Sequence, residues 1–84
     1  METLAIKILK LLSEYGPLDM SSIKRLLGIK RTSNVSAAVK RLMRRGLVKG
    51  FWLYSLTEKG KEALKYVDKC SDLRCLMREV EDAS

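Results

Sequence analysis

The sequence predicts a small domain that is mainly α-helical and carries one short β-hairpin. Apolar residues recur every three or four positions in three early stretches and one late stretch, which is the spacing of helices buried on one side. Over residues 47–56 the spacing changes to the alternation that is typical of strands. Glycines at positions 16, 28, 46, 50 and 60 separate these stretches. The predicted order is therefore helix, helix, helix, hairpin, helix.

The first helix is predicted over residues 3–14, because the chain then meets Gly16-Pro17, which ends a helix. Its apolar positions are Leu4, Ile8, Leu11, Leu12 and Tyr15. Asp19 is expected to cap the second helix, since its carboxylate can accept hydrogen bonds from the unpaired N–H groups of the first turn. We expect the buried side of this second helix to consist of Met20, Ile23, Leu26 and Leu27.

The third helix is expected to begin at a cap formed by Thr32 or Ser33 and to end at Gly46 in the C′ position. Its buried positions are predicted to be Val35, Ala38, Val39 and Leu42. The opposite face has short polar groups near its start and long cations near its end: Ser33, Asn34, Ser36, Ala37, Lys40, Arg41 and Arg44. This gradient is typical of a helix whose first residues approach base edges and whose later cations pass phosphates.

The hairpin is predicted to join strands over residues 47–49 and 52–56, with Trp52, Tyr54 and Leu56 on one face. We expect Trp52 and Tyr54 to be buried against the helices. Phe51 at the tip has three interpretations: a sugar contact, an interface aromatic, or a ring folded back onto Trp52. Thr57 is expected to cap the final helix, which Ser71-Asp72 could divide into two pieces.

The charge distribution is one-sided in the middle of the chain. All ten acidic residues lie outside residues 20–57, while this interval holds nine basic ones: Lys24, Arg25, Lys30, Arg31, Lys40, Arg41, Arg44, Arg45 and Lys49. Residues 1–66 have 14 basic and 5 acidic side chains, whereas residues 67–84 have 3 and 5. A folded surface with a single sign of charge indicates a partner of the opposite sign, and we expect a nucleic-acid backbone.

Several short motifs lie at the predicted joints between elements: Gly28-Ile29, Val35-Ser36, Val39-Lys40-Arg41-Leu42, Arg45-Gly46-Leu47-Val48 and Tyr54-Ser55-Leu56-Thr57-Glu58-Lys59-Gly60. Over roughly residues 4–66 this set resembles the winged helix-turn-helix regulators of the MarR, PadR and ArsR type, in a minimal single-domain form. The resemblance implies three helices, a two-stranded wing at 47–56 and a C-terminal helix. It also implies a recognition helix at about 32–45 in the major groove of double-stranded DNA, and a twofold homodimer.

Carried onto this chain, the resemblance implies a set of DNA-binding residues. The base-reading candidates are Thr32, Ser33, Asn34, Ser36, Ala37, Lys40 and Arg41. The candidates for backbone contact are Lys24, Arg25, Lys30, Arg31, Arg44, Lys49, Gly50 and Phe51. Asn34 and Arg41 have the side chains that form paired hydrogen bonds with base edges.

Residues 67–84 are predicted to form a helical extension of the domain at 1–66 and to serve in dimerisation. The expected dimer interface is Leu73, Leu76, Met77 and Val80, because their apolar side extends beyond what the small core should need. Cys70 and Cys75 leave three alternatives: free thiols, a bridge between two subunits, or an internal bridge over a break at Ser71-Asp72. Within one continuous helix these positions would rise by about 7.5 Å, which does not suit a disulfide.

Other classes of function are disfavoured by what the sequence contains. It has no histidine and no glycine-rich phosphate loop, so we expect neither an enzyme nor a cofactor, metal or small-molecule ligand. No apolar run approaches a membrane span, and we expect an intracellular, nucleoid-associated protein. The sequence thus predicts a sequence-specific transcriptional regulator that binds double-stranded DNA as a homodimer. The alternative is a winged-helix protein–protein interaction module that docks on an acidic partner.

Overall fold

The computed structural model describes residues 2–83, without the side chain of Ala83; Met1 and Ser84 lie outside the described part. The helices are α1 (Leu4–Tyr15), α2 (Met20–Leu27), α3 (Thr32–Arg44), α4 (Glu58–Ala63) and α5 (Leu73–Ala83), and the strands are β1 (Val48–Lys49) and β2 (Ser55–Leu56). A 3₁₀ turn over Leu64–Tyr66 continues α4. The mainly helical fold with one hairpin is the winged-helix arrangement that the sequence predicted.

The hairpin is the wing of this fold, and it is shorter than predicted. β1 and β2 pair antiparallel, with Val48 opposite Leu56 and Lys49 opposite Ser55. Tyr54 forms a further bridge with Leu18, through backbone hydrogen bonds of 3.0 Å and 2.8 Å. The wing is therefore attached to the segment between α1 and α2 as well as to its own strands.

One hydrophobic core joins all the helices. The largest fully buried side chains are Ile6, Ile8, Leu9, Ile23, Val35, Val39, Leu42, Leu47 and Leu76. α3 packs against α1, α2 and β1, while α5 packs against α4 and the 3₁₀ turn. Burial of each Leu or Ile side chain contributes about 1.5–3 kcal/mol relative to exposure, so this cluster is the main stabilising feature. Its consequence for function is that α3 is held rigidly by its inner side.

A network of backbone hydrogen bonds joins the end of α3 to the start of α4. Gly46, at φ 75°, donates to Met43 O at 3.0 Å and Leu47 donates to Leu42 O at 2.9 Å, the pattern of a Schellman C-cap. The Thr57 hydroxyl donates to Gly46 O and accepts from the Gly60 N–H. The Thr57 N–H donates to Leu47 O at 3.0 Å. These contacts confirm Gly46 in the C′ position of α3 and Thr57 as the cap of α4.

Two details of α2 and α3 differ from the prediction. Asp19 caps α2 as expected, accepting from the Ser22 N–H at 2.9 Å. Leu26, however, is 43% exposed, so its place in the buried side was wrong. α3 begins at Thr32 after Arg31, and Arg31 makes no side-chain cap hydrogen bond, so the predicted cap by Thr32 or Ser33 was also wrong. The Thr32 hydroxyl instead accepts a hydrogen bond from Lys24.

The wing tip also departs from the prediction. Trp52 is 82% exposed and does not belong to the core. The strands pair over two residues each, so residues 50–54 form a loop in which strict alternation no longer applies. Phe51 packs against Trp52, with ring centroids 5.5 Å apart and ring planes at 83°. This edge-to-face contact is the third of the interpretations that the sequence left open for Phe51.

The C-terminal segment breaks where Ser71-Asp72 suggested. Asp72 accepts from the Cys75 N–H at 2.8 Å and so caps the first turn of α5. Across the break, Cys70 and Cys75 form an internal disulfide with a Cα–Cα distance of 5.5 Å. A backbone hydrogen bond from the Thr3 N–H to Ser71 O, at 2.8 Å, ties this turn to the start of α1. Of the three alternatives for the cysteines, the structure has the internal bridge.

The four side chains expected at a dimer interface are buried within the single chain. Leu73, Leu76, Met77 and Val80 are between 0% and 9% exposed, and all four belong to the core cluster. The expectation that they extend beyond the core was wrong, because α5 folds back onto α4 and the 3₁₀ turn.

Within residues 2–83, no helix combines the length and the apolar character that crossing a bilayer demands.

Candidate nucleic-acid interface

The outward side of α3 is the centre of the candidate interface. Its base-reading candidates are exposed except for Ser36, which is half-buried. Successive residues of a helix are rotated by about 100°, so Ser33, Ala37, Lys40 and Arg44 form a ridge opposite the buried Val35, Ala38, Val39 and Leu42. The polar face of α3 is thus directed away from the core, as a helix that enters a groove requires.

Two flanks border this ridge, and they have different neighbours. Asn34, Arg41 and Arg45 lie on the flank that faces the starts of α1 and α5, in a groove that Thr3, Asp72 and Arg74 also line. Ser36 and Met43 lie on the other flank, toward the wing. The two residues best suited to paired base contacts, Asn34 and Arg41, are therefore beside the outermost ridge. Arg41 is continuous with the ridge through a shallow surface lined by Ser33, Ser36, Ala37, Lys40, Arg41 and Arg44, whereas Asn34 lies outside that surface.

The N-terminal end of α3 carries a second cluster of predicted contacts. The Lys24 Nζ donates to Thr32 Oγ1 at 2.7 Å and so joins α2 to the first turn of α3. Lys30 and Arg31, in the connection between these helices, are exposed. Since the N-terminus of a helix carries a partial positive charge and unpaired N–H groups, cations beside it favour an anion such as a phosphate.

Asp19 is the last carboxylate before the basic interval at residues 20–57, and its carboxylate is hydrogen-bonded within the first turn of α2. The hydroxyl and the backbone N–H of Ser22 hydrogen-bond its carboxylate and hold the pKa of Asp19 below its usual range, and the charge of Arg25 acts in the same direction. The next carboxylate along the chain, Glu58, is paired with Lys61 at 3.6 Å. Further ion pairs, Glu2–Lys10 and Glu62–Lys65, also use lysines from outside residues 20–57.

The wing brings a second element to the same side of the molecule. A groove of about 420 Å³ lies between α3 and the wing tip, and it is lined by Met20, Ser36, Val39, Lys40, Met43, Gly50, Phe51, Trp52 and Tyr54. Gly50 and Phe51, which were predicted to contact the DNA backbone, thus lie next to α3. Lys49 is not: it lines a different groove, together with Pro17, Ser55 and Lys61.

Two residues of this surface were not among the predicted contacts. Arg45 lies one helical turn beyond Arg41 on the same flank of α3, and the spacing of four residues could have revealed it. Trp52 was assigned to the core because of the alternation from Trp52 to Leu56. Only the true length of the hairpin loop shows that its ring projects from the tip.

The solved structures that are similar to this fold include the following two. The crystal structure of RV1404 from Mycobacterium tuberculosis has a TM-score of 0.70 and 23% identity over 99% of this chain and 56% of its own. A probable transcriptional regulator from Pseudomonas aeruginosa has a TM-score of 0.74 and 22% identity over 100% of this chain and 67% of its own. No protein-family model and no curated protein sequence matches the chain.

These likenesses concern the backbone fold. At 23% and 22% identity, the two neighbours share with this chain the arrangement of helices and wing, and the chain spans little more than half the length of RV1404. The arrangement places a helix with an exposed polar face beside a short hairpin. The chain therefore has the fold of a structure described as a probable transcriptional regulator.

Proposed function

We propose that this protein is a transcriptional regulator that binds specific sequences of double-stranded DNA, with α3 as its recognition helix. The observation that carries the proposal is the outward face of α3. Short side chains, Ser33 and Ala37, precede the cations Lys40 and Arg44 on an exposed ridge, in a chain with no carboxylate between Asp19 and Glu58. Such a ridge complements the major groove in both shape and charge.

Binding would divide between base contacts and phosphate contacts. Thr32, Ser33, Asn34, Ser36, Ala37, Lys40 and Arg41 are the proposed base-reading set. Lys24, Lys30 and Arg31 lie at the N-terminal end of α3, where one strand of the duplex would pass. Arg25, exposed on α2, is the further backbone candidate of this segment. Arg44 lies near the other end of α3, at a position suited to the phosphates of the opposite strand.

We propose further that two copies bind twofold-related half-sites, with their recognition helices about 34–36 Å apart in successive major grooves. The burial of Leu73, Leu76, Met77 and Val80 means that pairing would use other surfaces of the chain. The readout is the symmetry of the preferred DNA site, which is independent of any assumption about the contact between copies.

Selection of bound duplexes from a random pool tests the proposal. We expect a consensus sequence, and we expect it to be palindromic if two copies bind. On that site, Arg41→Ala or Asn34→Ala should cost about 1–3 kcal/mol and relax the preference at one position. Arg44→Ala should weaken binding to all sequences alike. The affinity of the wild-type protein should fall steeply with salt concentration, because about 6–10 phosphate contacts form per pair of chains.

Lys69→Ala is the matched control, because it removes an exposed cation from the segment outside the basic interval. We expect it to leave binding unchanged. A pool with no enriched sequence, or equal losses on specific and random DNA for Asn34→Ala, Arg41→Ala and Arg44→Ala, would contradict sequence-specific recognition. Binding to an acidic protein in the absence of any DNA binding would favour an interaction module instead.

A further inference from the structure

The wing tip exposes more apolar surface than any structural role within the chain explains. Phe51, Trp52 and Leu53 are consecutive, and their side chains are 80%, 82% and 55% exposed. Phe51 and Trp52 line the groove beside α3, which they share with Lys40 and Met43. An exposed aromatic pair of this kind marks a binding surface.

The loop that carries these rings is tightly built. Gly50 has φ 133°, and a β-carbon there would lie 2.0 Å from Leu53 O, so the two ends of the tip are in close backbone contact. Tyr54 then leaves the loop in its bridge with Leu18. Phe51 and Trp52 support one another edge to face. The turn of the backbone therefore leaves both rings exposed, and their contact with one another reduces the conformational entropy that would be lost on binding.

The surroundings of the pair indicate the chemistry of its partner. The groove beside it is shared with Ser36 and Lys40, which belong to the proposed base-reading set. No carboxylate occurs between Asp19 and Glu58, an interval that includes the whole wing tip. A polyanion seated on α3 would be attracted to this surface, and the same duplex would then meet Phe51 and Trp52.

We propose that the Phe51–Trp52 pair is an apolar wedge that enters the minor groove next to the major groove occupied by α3, and partly unstacks one base step. Apolar side chains inserted in this way bend the duplex, and they cost least at flexible pyrimidine–purine steps. The wedge rests on the proposed function and adds to it a preference for TA or CA/TG steps beside the bases that α3 reads. This preference arises from deformability, without hydrogen bonds to those bases.

Trp52 is the single tryptophan of the chain, so its fluorescence reports on the wing tip alone. With the full chain and the selected duplex, we expect quenching of Trp52 emission and loss of its accessibility to acrylamide. A duplex that carries 2-aminopurine at the expected step should brighten on binding as that base unstacks. Energy transfer between dyes at the two ends of the duplex should increase on binding, because bending shortens the end-to-end distance.

Trp52→Ala and Phe51→Ala should lower affinity for the selected site about tenfold and abolish the bend and the 2-aminopurine signal. Leu26→Ala is the control, since it removes an exposed apolar side chain that does not line the groove. Circular dichroism of each variant establishes that it folds.

The outcomes separate the two proposals. A complex that forms with the selected duplex, but leaves Trp52 emission and the DNA shape unchanged, would overturn the wedge and leave the proposed function standing. Absence of binding to any duplex would overturn both. A third outcome is that the free protein self-associates, that Trp52→Ala abolishes this association, and that the same variant binds DNA with unchanged affinity. This outcome would overturn the wedge and identify a second copy of the chain as the partner of the wing tip.

Discussion

A β-carbon on Gly60 would lie 2.1 Å from the carbonyl oxygen of Leu47. The first turn of α4 therefore contacts the backbone that enters β1, and only glycine allows this approach. The same Leu47 oxygen accepts from the Thr57 N–H. The two motifs at either end of the wing, Gly46-Leu47 and Thr57 to Gly60, are thus the two halves of one contact.

Gly60→Ala is expected to destabilise the protein by about 1–3 kcal/mol, because the added methyl group overpacks a backbone contact. Within a helix the same change ordinarily stabilises by about 1 kcal/mol, so the sign alone is decisive. Urea denaturation measures it. Lys61→Ala, on the exposed side of the same helix, is the control, and a stabilised Gly60→Ala variant would contradict the contact.

The hydrogen bond from Lys24 to Thr32 can be separated from the charge of Lys24. Thr32→Val removes the acceptor and leaves the cation, so we expect weaker binding to the selected site with an unchanged salt dependence. Lys24→Met retains the side-chain stem and removes the charge, so the slope of log affinity against log salt should fall by about 1. Titrations at several salt concentrations measure both, and identical slopes for the two variants would count against a phosphate contact by Lys24.

Leu76→Ala tests the position of α5. Leu76 is fully buried in the single chain, so we expect a loss of about 2–5 kcal/mol in the free energy of unfolding. The exposed Arg78 on the same helix supplies the control variant Arg78→Ala. The opposite result has two parts: the unfolding midpoint of the wild type rises with protein concentration, and the Leu76→Ala variant fails to associate. Together they would show that Leu76 lies in a subunit interface.

The disulfide should stabilise the turn before α5. Cys70 and Cys75 are five positions apart. Closing so short a loop lowers the conformational entropy of the unfolded chain, which stabilises the folded state by about 2 kcal/mol. We therefore expect reductant to lower the free energy of unfolding of the wild type by that amount and to leave a Cys70→Ala/Cys75→Ala variant unaffected. Two reactive thiols in the native protein before any reductant is added would show that the bridge is absent.

Much of the fold follows from local patterns. The first three helices begin and end within a residue or two of their predicted positions, and α4 begins as predicted, because helical periodicity, the Asp19 and Thr57 caps and Gly46 act over short distances. The end of α4 was wrong: the α-helix stops at Ala63, well before the predicted break at Ser71-Asp72. The exposed face of α3 was predictable for the same reason, since its polar and apolar residues separate by angle alone.

What could not be predicted depends on contacts distant in sequence. Leu73 and Val80 have an apolar pattern that suits either a partner chain or the chain's own core, and only the return of α5 onto α4 decides between them. Trp52 has the alternation of a strand, but the hairpin pairs over only two residues on each side. Tyr54 pairs with Leu18, in the segment between α1 and α2, and this contact between distant parts of the sequence leaves no sign in the local alternation.

The bonds among Gly46, Leu47 and Thr57 have a consequence for the proposed DNA site. They connect the end of α3 directly to both ends of the wing, so the base of the wing is fixed relative to α3. The number of base pairs covered by one chain is then a property of its backbone geometry. Sites that differ by an inserted base pair between the two contacted grooves would be discriminated by length, whatever their sequence.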